Sequence, residues 1–456
     1  MAEHAFSVDG RRVVVVGAAR SGLAAAELLQ RRGARVTLSE SRASFDEAAA
    51  LAASGVQIET GGHQSGTLAQ ADLVVVSPGV PLEQPAFAAA RERGVEIIGE
   101  LELAWRWLKG RVIAITGTKG KSTTTTLVGR MLEAAGRHVL VGGNIGVPVS
   151  AQVDASTDRT VHVVETSSFQ LATTTSFRPW IAVWLNLTDD HLDRHASLQE
   201  YGDAKARIFA NQVPNDFAVV NADDPAVVNY SAQTFATRVW FSPSGKLSNG
   251  YVVSDGWVGR RTKSAFERLV PVGAVRVPGE HTLGNIVAAT AAANLAGAGA
   301  GPIEQAVRGF TGLEHVMEPV AEIGKVRFVN DSKATNVGAA RKSIESFDAG
   351  VVAIIGGRYK GGNFGELKNA LAGRGRGVVA IGDAASQVEE AMAGGPPVVR
   401  AGSMAEEVAR AYDLVGHEGV VLLAPACASF DWFRDYAERG RSFKEEVAQL
   451  KARVER

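Results

Sequence analysis

The chain has 456 residues, 46% of them hydrophobic and 21% charged, which fits roughly three ordinary globular domains and excludes a disordered chain. Its formal net charge of -1 offers no bulk attraction to nucleic acid or an anionic membrane, and its one cysteine, Cys427, excludes an internal disulfide and fits a reducing compartment. MAEHAFSVDG at the start lacks the apolar core of a signal peptide and no apolar run approaches the ~20 residues of a membrane span, so a soluble cytoplasmic protein is expected.

Arg12 to Leu38 reads as strand, turn, helix, strand. The turn resembles a dinucleotide fingerprint with Gly17 and Gly22 at its outer positions. Its central glycine, where backbone must touch a pyrophosphate, is Ala19, so a Rossmann-like module holding another nucleotide-like group is the better reading. Glu40 lies where a ribose-binding acid would stand. A strand at Leu73 to Val76 ends in Ser77-Pro78-Gly79, either a plain turn or a ligand turn at the sheet's carboxyl edge. Glu100 to Gly110, rich in Leu and Trp, reads as a short connecting helix.

Arg111 to Gly136 carries the sharpest chemical signal. A buried strand (Val112 to Thr116) runs into a turn holding Gly117, Gly120, Lys121 and Ser122, then into a helix with Leu127, Val128, Met131, Leu132 and Ala135 on one face. Glycines let backbone N–H groups wrap around phosphate oxygens, and the helix N-terminus adds positive potential. Lys121 suits the terminal phosphates and Ser122 a magnesium ion. The full phosphate-loop pattern has a glycine where Ile115 stands, so a shortened loop is expected.

Further strands end in polar residues that a largely parallel sheet gathers beside this loop. Gly142, Gly143 and Asn144 follow one, Glu165 another, Asp189, Asp190, His191 and Asp193 a third, and Asp223 and Asp224 a fourth. Magnesium takes one or two carboxylates plus nucleotide phosphates, and Glu165 is the best carboxylate for it. His191 is either a ligand for a second divalent ion or a loop cap, and Asp190 and Asp193 are equally turn-formers. Lys205 reads as an ordinary helix lysine. Tyr230 to Pro278 is turn-rich and β-rich, and residues 279–300 restart a small-residue helix with His281 and Asn285 on one face.

From Gly312 regular α/β alternation returns, with strands at 326–330, 351–356, 378–382 and 420–424 forming a second Rossmann-like sheet. Lys333 and Lys360 are expected at adjacent strand ends, where they suit a dicarboxylate or phosphate or are simply solvated. Cys427 reads as a buried small residue in preference to a nucleophile. The fold class is therefore α/β in three domains: a Rossmann-like domain over 1–108, a central P-loop ATPase-like domain with a mostly parallel sheet over 109–311, and a Rossmann-like domain over 312–456.

Taken together, GTKGKST (117–123), GGNIG (142–146), ETSSFQL (165–171), LTDDHLDRH (187–195), NDSKATN (330–336) and PACASFDWF (425–433) resemble the Mur ligase family, the ATP-dependent amino-acid ligases of peptidoglycan assembly. NDSKATN and PACAS point within it to the D-glutamate-adding branch, and DNPR, which marks the diamino-acid-adding branch, is absent. The resemblance implies ATP, UDP-N-acetylmuramoyl-L-alanine and D-glutamate as substrates, two magnesium ions, an acyl-phosphate intermediate, closure of the domains around it and a monomer. It assigns Gly117, Thr118, Lys119, Gly120, Lys121, Ser122, Thr123, Asn285 and Asp331 to ATP. Ser122, Glu165, His191 and a carbamylated Lys205 go to metal, with Lys121, Asn144, His191 and Lys205 catalytic. The UDP substrate falls to Arg20, Ser21, Glu40, Ser41, Ser77, Pro78, Gly79, Asn144 and Ser167. D-Glutamate falls to Lys333, Thr335, Lys360, Ser429 and Tyr436.

The chain departs from the family pattern at four places. Ala19 replaces a glycine, Lys119 an asparagine, Thr282 an asparagine and Val316 an arginine that approaches the ATP phosphates. Lys119 is expected to replace part of the charge lost at Val316. Three other readings stay open: a folylpolyglutamate-type ligase, which should lack NDSKATN; a nucleotide-binding scaffold without catalysis, suggested by Thr282 and Val316; and a nicotinamide-dependent oxidoreductase, disfavoured by Ala19.

Overall fold

The computed structural model describes residues 6–189, 194–277 and 280–455, the side chains of Glu280 and His281 excepted. Apolar strands, glycine-bearing turns and amphipathic helices assemble into three sheets, mostly parallel, so the chain is α/β as expected. It forms two compact units, Met1–Phe310 and Thr311–Arg456.

The first unit holds two sheets. Five parallel strands lie in the order Gln57–Glu59, Arg35–Ser39, Arg12–Val16, Leu73–Val76, Ile97–Gly99. Val13 to Val16 and Leu73 to Val76 are all buried, since helices cover both faces of such a sheet and leave no polar alternation. The strand order reverses between Arg12–Val16 and Leu73–Val76, so the Gly17 and Ser77 turns emerge side by side.

The second sheet has nine strands, and Arg111–Thr116 lies inside it between Thr160–Glu165 and Ile181–Trp184. Ile115 pairs with Glu165 and Thr116 with Trp184, both in parallel register. The turn-rich stretch after Tyr230 becomes the sheet's far edge: Gly250–Ser254, Trp257–Arg261 and Phe266–Pro271 form an antiparallel meander. After the phosphate loop, the Lys121–Ala134 helix buries Leu127, Val128, Met131 and Leu132, and Gly136 leaves it at φ 74°. The helix expected over 279–300 runs over Glu280–Leu295, ending earlier than expected because Gly297 adopts φ 96° and turns the chain into a separate helix, Ala300–Arg308.

The second unit is built on one sheet in the order Glu318–Ile323, Lys325–Asn330, Glu418–Ala426, Val351–Gly356, Gly375–Ile381, Val398–Arg400. Only the first strand is antiparallel. The last strand in sequence thus inserts between two earlier ones. A C-terminal helix, Tyr436–Val454, which the sequence reading did not single out, seats Phe443, Val447 and Leu450 in the core. Among the described residues no helix is long and apolar enough to cross a membrane.

Candidate active site

The phosphate loop leaves the Arg111–Thr116 strand with Gly117 at φ 151° and Gly120 at φ 83°, conformations that side-chain-bearing residues avoid. A Cβ at Gly120 would also stand 2.1 Å from the Asn285 side-chain oxygen, so Asn285 lies directly against the loop. The Lys121 ammonium donates back to the carbonyls of Gly117 (2.9 Å) and Thr118 (3.0 Å). No side chain of the preceding residue caps the fourteen-residue helix that starts at Lys121, so its first turn presents amide N–H groups and the positive end of the helix dipole. Ser122 and Thr123 lie half-buried in that turn.

Glu165 ends the neighbouring strand and is 2% exposed. Its Oε1 accepts from the Asn144 side-chain amide at 2.8 Å, and Asn144 also donates its backbone N–H to the Glu165 carbonyl at 2.9 Å. Oε2 is buried and has no hydrogen-bond partner among the described residues. A buried carboxylate oxygen left over in this way costs stability unless a cation meets it, so the residues present fit magnesium. On the other side Lys205, 1% exposed, donates to the Gly117 carbonyl at 2.9 Å and lies 4.3 Å above the Tyr201 ring. The spacing of Lys205 gave no hint of this position, because its partner is 88 residues away. Read from its residues alone, Lys205 was expected to be an ordinary helix lysine, and its burial corrects that. Asp190, His191 and Asp193 lie outside the described residues, as does the His281 side chain.

At the switch point of the first sheet, Ser77 donates its hydroxyl to the Gly17 carbonyl at 2.9 Å. Glu40 is 5% exposed and accepts from the amides of Ala18 (2.7 Å) and Arg42 (3.0 Å) and the hydroxyl of Ser41 (3.1 Å). Burial alone would raise its carboxyl, but the Arg42, Ala18 and Ser41 hydrogen bonds hold it down at about 2. Glu40 therefore organises the turn after the first strand, with both oxygens engaged. Arg20 donates to the Gly146 carbonyl (3.2 Å), which ties the turn after the first strand to the GGNIG turn, and Arg194 donates to the Gly79 carbonyl (3.3 Å). Ser21 is half-buried and Pro78 lies beside Ser77 in the turn. Ser167 spends its hydroxyl and amide on a capping box with Gln170.

In the second unit Lys333 and Lys360 are not on adjacent strands. Glu418–Ala426 lies between theirs, which brings Ser429 down between the two lysine-bearing turns. Ser429 is 2% exposed, Lys333 half-buried and Lys360 exposed. The Thr335 amide donates to the Lys333 carbonyl at 2.8 Å and the Ser332 hydroxyl to the Tyr436 carbonyl at 2.7 Å. Asp331 is buried and accepts from the Ser343 hydroxyl and the Met317 amide; burial raises its carboxyl, those bonds and Lys333 partly opposing. No motif or spacing marks Arg439, 1% exposed, which donates to the Ser332 hydroxyl and carbonyl (3.0 Å each) and the Cys427 carbonyl (3.2 Å).

Three family models match successive parts of the chain. "Mur ligase MurD-like, N-terminal domain" describes residues 11–99, "Mur ligase middle domain" residues 115–293 and "Mur ligase, glutamate ligase domain" residues 317–427. The chain belongs to the Mur ligase family. Among Mur ligases it is 47% identical over 447 residues to the UDP-N-acetylmuramoylalanine--D-glutamate ligase of Acidobacterium capsulatum, covering 97% of each chain. It is 44% identical over 451 residues to the enzyme of that name from Geobacter metallireducens, covering 98% of this chain and 99% of the other. The UDP-N-acetylmuramate-alanine ligase structure from Thermotoga maritima shares the Mur ligase fold at TM-score 0.55 and 20% identity, over 97% of this chain and all of that one.

Proposed function

We infer that this Mur ligase joins D-glutamate to UDP-N-acetylmuramoyl-L-alanine at the expense of ATP, a step of peptidoglycan precursor synthesis. The observation that carries the reading is the 47% identity across 97% of both chains to a relative of that name. Three domains divide the work: residues 1–108 hold the UDP substrate, 109–311 ATP, and 312–456 D-glutamate. The L-alanine carboxylate attacks the ATP γ-phosphate, giving ADP and an acyl phosphate. The D-glutamate amine then adds to the acyl carbon, and the tetrahedral intermediate expels phosphate.

A carboxylate nucleophile and a polyphosphate repel each other, so the first step needs positive charge fixed in advance. Lys121 supplies it, leaving the Gly117 and Thr118 carbonyls for the phosphates, together with the helix N-terminus beyond Gly120. Magnesium, when bound, neutralises charge on the phosphates. Glu165 and Ser122 hold it, and Asn144 keeps the Glu165 carboxylate aimed. A second ion falls to His191 and a carbamylated Lys205; the burial of Lys205 beside Gly117 supports that role. Gly117 to Thr123 with Asn285 hold ATP, and the family resemblance assigns Asp331 to ATP as well. Arg20, Ser21, Glu40, Ser41, Ser77, Pro78, Gly79, Asn144 and Ser167 hold the UDP substrate. Lys333, Thr335, Lys360, Ser429 and Tyr436 hold D-glutamate, with the two lysines suited to its two carboxylates.

The test is phosphate release with ATP, magnesium, UDP-N-acetylmuramoyl-L-alanine and one amino acid at a time. Release that depends on D-glutamate is expected. Release with a different amino acid alone, or none with any, overturns the reading.

A further inference from the structure

Asn186, which follows the Ile181–Trp184 strand, grips the phosphate loop along its backbone. Its side-chain oxygen accepts from the amides of Thr118 (3.0 Å) and Lys119 (2.8 Å), and its side-chain amide donates to the Lys119 carbonyl at 3.1 Å. Two residues on, the Thr118 hydroxyl donates to the Thr188 carbonyl (3.2 Å) and accepts from the Thr188 amide (3.0 Å). Side chains from both segments thus cross the gap in opposite directions.

The gripping segment is itself fixed from behind. Asn221 donates to the Leu185 carbonyl at 2.7 Å, Trp184 donates its indole N–H to the Asn186 carbonyl at 3.2 Å, and the Leu187 amide donates to Asp224 at 2.8 Å. Asp224 in turn caps the Pro225–Ser231 helix. The loop is therefore held by a stretch that cannot easily yield.

This accounts for the backbone of Thr118 and Lys119 completely. Their amides go to Asn186, the Thr118 carbonyl to Lys121 and the Lys119 carbonyl to Asn186. A longer phosphate loop uses such amides to wrap the phosphates, and Ile115 occupies the place where that loop has its first glycine. We propose that Asn186 is a positioning residue that stands in for the missing part of the loop. It turns the Thr118 and Lys119 amides away from the nucleotide and holds the rest of the turn, from Gly120 into the helix, in the shape that receives the phosphates. The two left-handed glycines give this turn much freedom to lose, so a clasp made before ATP arrives lowers the ordering cost of binding.

The proposal rests on the reading of residues 117–123 as the ATP site, and the experiment separates the two. MgATP binding is measured by calorimetry for the wild-type chain, Asn186→Ala, Thr118→Val and the double variant, with KM for each substrate alongside. Expected are a Kd for MgATP raised about tenfold in Asn186→Ala, KM for the UDP substrate and D-glutamate within about twofold of wild type, and a double variant less impaired than the two single effects multiplied. Failure of the wild-type chain to bind MgATP removes the ATP reading. Equal binding by wild type and Asn186→Ala, with only a lower Tm in the variant, overturns the clasp. Tighter binding by Asn186→Ala overturns it too, since Asn186 would then be a plug that phosphate displaces. Amide hydrogen exchange in the wild-type chain needs no variant to fold: Thr118 and Lys119 should be protected before MgADP is added and unchanged after it. Protection that appears only with MgADP refutes the proposal.

Discussion

Lys119 shows how a single side chain tests the ATP reading. Its backbone is held on both sides by Asn186 while its side chain is exposed on the loop. A free ammonium there adds long-range attraction for a polyphosphate without shaping the turn. Lys119→Asn is expected to raise the KM for ATP about tenfold, worth ~1–2 kcal/mol, and to leave thermal stability as it was. An unchanged KM would remove the idea that Lys119 makes up for Val316. Deeper in the chain, Glu407 is fully buried and neither carboxylate oxygen has a hydrogen-bond partner among the described residues. Burial pushes its carboxyl up to about 8, with attraction from Arg439 opposing and Asp431 adding to the rise. The folded chain therefore keeps a proton that the unfolded chain releases near pH 4.3. Stability from this group is greatest below that pH, falls as the pH climbs toward 8, and is level above it. Glu407→Gln keeps the shape and removes the titration. Denaturation at pH 5, 6.5 and 8 should show a flatter decline for the variant and a gain of roughly 1–3 kcal/mol at pH 8; parallel curves would mean that the group does not titrate in this range.

At the scale of elements, the short Glu100–Trp105 helix does more than connect. It enters the interior with two buried carboxylates, and their surroundings pull them opposite ways. Glu100 accepts from the amide and hydroxyl of Ser150 (2.6 Å each) on Oε1, and burial raises its carboxyl against the Ser150 and Val149 bonds. Glu102 is equally inaccessible to solvent, but it accepts from the amides of Thr175, Ser176 and Phe177 at 3.0–3.1 Å, from two hydroxyls and from Arg106. Burial would raise this carboxyl too; the Ser176 and Thr175 bonds outweigh it and hold it low. Its stabilisation is present above about pH 4.3 and is lost as the pH falls through the depressed folded value. Glu102→Ala should cost about 2–4 kcal/mol by leaving the buried Phe177 amide and its two partly buried neighbours without this acceptor, and Glu102→Gln less, measured by urea denaturation. A cost below about 1 kcal/mol for Glu102→Ala would show that the 175–177 turn finds other partners. The sequence predicts a short connecting helix here and nothing of the role of Glu102, because the amides that Glu102 serves lie more than seventy residues further on.

Across the whole molecule, what could be read from sequence was local. Glycine, lysine and serine spacing gave the phosphate loop, and apolar runs gave the buried strands, since period and turn chemistry are written within about twenty residues. Strand order is not local. The expectation of neighbouring lysines at Lys333 and Lys360 failed because Glu418–Ala426 inserts between their strands, and nothing in the 351–360 stretch announces a later arrival. Asn186 was passed over for a related reason: an asparagine after a strand is common, and only the parallel pairing of Thr116 with Trp184 turns this one toward the loop. Lys205, with a partner 88 residues away, was equally silent except through resemblance.

That inserted strand also ends at the only thiol in the chain. Cys427 is fully buried, and burial pushes its thiol up to about 11, Arg439 opposing and Asp431 adding to the rise. Sulfur in that state is inert to alkylating reagents until the sheet end around it opens. The chain thus contains a single-site clock: the rate at which Cys427 takes up label counts openings of the strand end between Lys333 and Lys360, with no probe added, and whatever binds there slows the count.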